Sequence, residues 1–152
     1  MNVIAIYRNT TNTVESWAPS ILSLALRCWL ASIFFKSGLT KIAGWDSTLA
    51  LFEAEYQVPV LSPVLAAYLA TGTELIVPVL LVMGLFTRMS ATVLLVLNAV
   101  AAISYPDISE AGMKEHVYWG ILLTVPMAIG GARISADYLW LSLSARRARH
   151  VA

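Results

Sequence analysis

The run from Pro63 to Phe86, PVLAAYLATGTELIVPVLLVMGLF, carries a single charged side chain, Glu74. As a helix it is long enough to cross a hydrocarbon core about 30 Å thick. In lipid only helices and closed barrels satisfy their own backbone, so a run like this leaves few folds open. Comparable runs recur, and the spans are read at about 19–37, 63–86, 88–106 and 115–131. The expected fold is all-α: an integral membrane four-helix bundle occupying residues 1–152 as one domain. Composition agrees, with 59% hydrophobic residues, only 12% charged and a mean hydropathy of +0.74; soluble domains carry about twice that charge. A net charge of +1 gives no footing for nucleic-acid binding.

The one cysteine, Cys28, allows no internal disulfide and no CxxC exchange motif, which argues against a quinone-linked disulfide generator. The N-terminal MNVIAIYRNTTNTVESW lacks the pattern of a cleaved signal peptide. Its sequon, Asn9-Thr10-Thr11, reads as a chance match.

Loop charges set an expected orientation. Arg8, Arg88, Arg133, Arg146, Arg147 and Arg149 fall on one side. Lys41 and Lys114 fall on the other, among Asp46, Glu53, Glu55, Asp107, Glu110 and Glu115. The arginine side is expected to be cytoplasmic, with both termini inside a bacterial inner membrane. In the first outer loop Ile42, Trp45, Leu49, Phe52 and Tyr56 recur at spacings of three and four, which predicts an interfacial helix. The tail RISADYLWLSLSARRARH reads as an amphipathic C-terminal helix on the inner surface, its basic end suited to anionic lipid. No repeat suggests an inverted-topology transporter.

The polar groups inside the runs are the candidate site. Counting helical rise from the expected ends puts Arg27 about 12 Å deep and Glu74 about 16 Å deep from the opposite face. Asn98 falls at the same level, so Arg27, Glu74 and Asn98 are expected to form one midplane layer, with Arg27 as counter-ion to Glu74. Pro78 removes the backbone hydrogen bond to Glu74, and such defects persist where they line a cavity or are satisfied by protein. A ligand or proton site and a structural salt bridge are both open readings. Nearer the outer face, His116 is expected to begin the fourth span and Lys41 to end the first. Arg27, Ala31, Phe34, Gly38 and Lys41 share one helical face, expected to point inward; Lys36 should snorkel on the other side. Tyr105, Trp45, Tyr118 and Trp119 read as an interfacial aromatic belt. A bis-histidine haem lacks a second membrane histidine, since His150 lies in the tail. No metal-ligand spacing or phosphate loop is present.

Three segments carry a family resemblance. They are Arg27, Phe35, Gly38, Leu39 and Lys41 in the first span, the ELIVPVLLVMGLFTRMSA segment from Glu74 to Ala91, and, more loosely, His116, Trp119, Gly130, Gly131, Arg133, Ser135 and Asp137. Together they make the chain resemble the DoxX family of small four-helix membrane proteins. The resemblance implies a helical bundle associated with redox metabolism. Members resemble the membrane subunit of a thiosulfate:quinone oxidoreductase and sit with soluble redox or sulfur-handling partners. The leading expectation is an inner-membrane subunit binding a quinone or similar small ligand, with Arg27, Glu74 and Asn98 at midplane and Lys41 and His116 at the outer entrance. The alternatives are a non-enzymatic scaffold for a partner protein and, if homo-oligomeric, a small-solute or metal-linked transport component.

Overall fold

The computed structural model describes the backbone of residues 3–151 and the side chains of residues 11–12 and 14–147. Six helices follow one another: α1 (Val3–Ala43), α2 (Trp45–Ala54), α3 (Pro63–Met83), α4 (Thr87–Ser104), α5 (Glu110–Ile129) and α6 (Ala136–Val151). No strand occurs among the described residues. Three segments are long and apolar enough to cross a membrane: Val14–Ala43 within α1, α3 and α4. Helix α5 is of spanning length, but its first turns carry Glu110, Lys114 and Glu115.

The helix ends have local causes. Ser62 caps α3 by accepting from the Leu65 N–H, with Pro63 at the first helical position, where its missing N–H costs nothing. Gly84 ends α3 in the left-handed region (φ 68°), so the span stops at Met83, not Phe86. Ser109 caps α5 through the Gly112 N–H, which starts that helix before the expected residue 115 and places His116 inside it. The first helix is far longer than 19–37, because Pro19 does not break it. Gly44 separates α1 from α2. Ile42 therefore belongs to α1, where it is exposed, and leaves the expected stripe; Phe52 is buried and Trp45, Leu49 and Tyr56 pack around it.

Helix α1 packs against α3, α3 against α4, α4 against α5, and α5 back against α1. Leu30, Phe34, Leu81, Ala91, Leu94 and Leu123 form the core between them. Around it the surface is apolar: Ile21, Leu22, Ile76, Met89 and Ile103 are all more than half exposed. So continuous an apolar exterior is unsustainable in water and suits lipid. The α1–α3 seam is close at Gly38, where an added Cβ would lie 2.9 Å from Leu75 Cγ and 3.0 Å from Glu74 Cβ. Arg27 lies against the last turn of α3, so the two helices run antiparallel.

Candidate functional site

The expected inward face of α1 is present: Arg27, Ala31, Phe34 and Gly38 are buried and Lys41 is half-buried, while Lys36 points out. The ion pair, however, is not the expected one. Glu74 pairs with Lys41, whose Nζ lies 2.6 Å from Oε2 and 2.8 Å from Oε1. Lys41 Nζ also donates to Ser37 Oγ at 2.8 Å, and Ser37 donates to Glu74 Oε1 at 3.2 Å. Helical side chains lean toward their own N-terminus. In antiparallel helices, Lys41 therefore leans inward along α1 while Glu74 leans outward along α3, and they meet. Arg27 leans the same way as Lys41, toward the start of α1, and from its position this carries it away from Glu74. Depth counted at the backbone misses this lean, which is why the expected Arg27–Glu74–Asn98 layer does not form.

Arg27 instead binds carbonyls. Its Nε donates to Ser23 O (3.3 Å), its Nη1 to Leu81 and Val82 O (3.2 and 3.1 Å), and its Nη2 to Gly131 and Ile134 O (3.3 and 2.5 Å). A cation at a helix C-terminus satisfies orphan carbonyls and opposes the helix dipole. Asp137 completes this cluster from α6. Its carboxylate accepts from the Phe86 and Thr87 N–H groups and from Thr87 Oγ1, at 2.8, 2.8 and 2.7 Å, and so caps α4. Burial pushes the Asp137 carboxyl up, but the Thr87 and Phe86 hydrogen bonds and nearby Arg27 outweigh it and hold its pKa below the ordinary value. Gly84 and Gly131 make room: a Cβ on either would come within 2.4 Å of Ser135 Cβ. Sequence reasoning missed Asp137 as a cap and Ser37 as a partner. The Ser37–Lys41 spacing of four was the available signal for the second.

Asn98 and His116 form the other polar pair. Asn98 Nδ2 donates to the His116 carbonyl at 2.8 Å, and Asn98 Oδ1 faces His116 Nδ1 at 2.8 Å. Both pairs line one cavity of about 470 Å³, together with Phe34, Phe52, Tyr56 and Trp119. Thus Glu74, Lys41, Asn98 and His116 come together and Arg27 does not. Tyr56 stacks between Phe52 and Tyr105, with ring centroids 4.7 and 5.2 Å apart; burial, aided by Glu74 and Glu55, raises its phenol pKa and keeps the hydroxyl protonated. Trp119 meets Phe34 and His116 edge-on. Helices α3 and α4 bring exposed Leu69, Val93 and Val96 to the cavity's rim. The arginine-rich side was read partly from Arg8 and Arg149, which with His150 and the Asn9 and Thr10 of the sequon lie outside the described side chains.

A family model described as DoxX matches residues 22–106. A protein of Haemophilus influenzae, described as uncharacterized, is 33% identical over 125 residues, covering 76% of this chain and 81% of that protein. No solved structure matches the chain.

Proposed function

The chain belongs to the DoxX family, and from the cavity beside Glu74 we propose that it is a membrane subunit binding a quinone or similar lipophilic redox ligand. The observation that carries this reading is the cavity itself: an apolar, aromatic-rich slot with two polar pairs, Lys41–Glu74 and Asn98–His116, and an apolar rim between α3 and α4. Binding sites for small molecules are commonly apolar with a few placed polar groups. Helices α3 and α4 are candidate spans, so the rim is read as opening toward lipid, the phase in which a prenylated ring dissolves. We read α5 as the fourth span of a bundle, α2 as an interfacial cover and α6 as lying on the inner surface, with both termini cytoplasmic. We read the electrons as coming from a partner protein.

The test is ligand-dependent stability in mild detergent. A ligand that binds only the folded state stabilises by RT ln(1 + [L]/Kd), about 2.7 kcal/mol at a hundred times Kd. Short-chain quinone or quinol should raise the melting temperature saturably. Asn98→Leu and His116→Ala should weaken that shift without preventing folding. If neither redox form shifts the melting temperature of well-folded protein, and a partner protein co-purifies, the scaffold reading replaces this one.

A further inference from the structure

The hydrogen-bond arithmetic of the cavity specifies which redox form of the ligand it takes. Lys41 has three N–H donors, and its three partners are Ser37 Oγ, Glu74 Oε1 and Glu74 Oε2. Ser37 spends its own hydrogen on Glu74. The cluster therefore has no donor to spare, while a carboxylate accepts at about four positions and three are taken. Lys41, the obvious donor to a ligand carbonyl, is already committed.

The second pair is fixed just as closely. A backbone carbonyl can only accept, so the Asn98 atom facing His116 O is the amide nitrogen, and Oδ1 faces His116 Nδ1. Asn98 Oδ1 also can only accept, so Nδ1 carries the hydrogen. In the neutral imidazole Nε2 is then a bare acceptor. Glu74 and His116 both line the cavity, and the fourth carboxylate position and Nε2 are left as acceptors without a matching hydrogen. The second amide hydrogen of Asn98 and the indole N–H of Trp119 are the fixed donors that the lining leaves over, and the Thr73 and Tyr56 hydroxyls can rotate to play either part.

We propose that the cavity selects the hydroxyl-bearing, reduced form of a ring ligand, a hydroquinone, over the corresponding quinone. This deepens the proposed function and rests on it. A hydroquinone hydroxyl donates to Glu74 or His116 and still accepts from Asn98. A quinone carbonyl can only accept, so it sets lone pair against lone pair at Glu74 and Nε2 and leaves both acceptors unmet. Unmet buried acceptors are penalised more heavily than made bonds are rewarded.

Four probes of nearly one shape test this, using the full chain in detergent under anaerobic conditions: tetramethylhydroquinone, its monomethyl ether, its dimethyl ether and duroquinone. Apparent affinity, read from the concentration dependence of the melting temperature, should fall about tenfold for each hydroxyl methylated. Duroquinone, which has no added methyl bulk, should bind no better than the dimethyl ether. In His116→Phe the difference between tetramethylhydroquinone and its monomethyl ether should shrink to about twofold. Duroquinone binding as tightly as tetramethylhydroquinone would overturn the selection for the reduced form and leave the ligand-site reading standing. If no probe shifts the melting temperature, the ligand-site reading itself fails.

Discussion

Replacing Lys41 by Met removes the only cation that the described residues bring to the Glu74 carboxylate and leaves Ser37 as its one hydrogen-bond donor among them. The pair is nearly dry, with side-chain exposures of 17% for Lys41 and 10% for Glu74. Stranding one member of such a pair costs about 3–5 kcal/mol, and replacing both by apolar residues recovers much of it. The two single variants should differ. In Glu74→Gln the lysine can reach toward the membrane surface along its own stem, whereas in Lys41→Met the carboxylate cannot follow. Lys41→Met should therefore be the more damaging. SDS-induced unfolding in mixed micelles, followed by circular dichroism, gives the cycle. Lys41→Met combined with Glu74→Leu should show a coupling of about 2–3 kcal/mol. Arg27→Met with Glu74→Leu should be additive within about 0.5 kcal/mol, because Arg27 binds carbonyls seven and eight residues beyond Glu74, about 10 Å along α3. If Arg27 couples to Glu74 more strongly than Lys41 does, the pairing described above is wrong.

Gly84→Ala should destabilise by about 1–3 kcal/mol in the same assay, since it combines a left-handed backbone with a Cβ driven against Ser135 and Arg27; an unchanged transition would deny that this end of the protein is tightly packed. Asp137→Asn should cost about 1 kcal/mol at neutral pH by weakening the α4 cap. Because the folded Asp137 pKa lies below its ordinary value near 3.8, its contribution is complete above that value and fades as pH falls through the folded one. The stability gap between wild type and Asp137→Asn should accordingly close below about pH 4, and a gap that widened there would contradict the sign. A reporter fused after Ala152 should be active only in its cytoplasmic form, as the arginine-rich side requires; periplasmic activity would invert the assigned orientation.

Helix identity was legible because apolar runs of bilayer length admit little else. Helix limits were less so, since caps such as Gly84 and Ser109 act locally and span arithmetic overlooks them. The inward face of α1 followed from spacing alone: Arg27, Ala31, Phe34 and Gly38 are buried. Four of the five candidate ligand residues do share one cavity. Arg27 was misplaced for a geometric reason. Depth was reckoned along the backbone, whereas a long side chain carries its charge a full turn toward its own N-terminus. The carbonyls that hold Arg27 belong to the preceding turn of α1, the last turn of α3 and the α5–α6 connection, and backbone acceptors leave no signature in residue identity.

The Arg27 cluster also decides how the cavity can be used. Below Glu74 the space between the helices is filled first by Leu30, Leu81, Leu94 and Leu123, and then by a guanidinium tied to α1, α3 and the α5–α6 connection. The molecule is thus a cup and not a tube. Among the described residues, a proton, ion or ring that reaches Glu74 meets packed leucines toward the Arg27 end, so its way out is the mouth through which it came. On the proposed reading, a single copy takes its ligand up and hands it back on the same side.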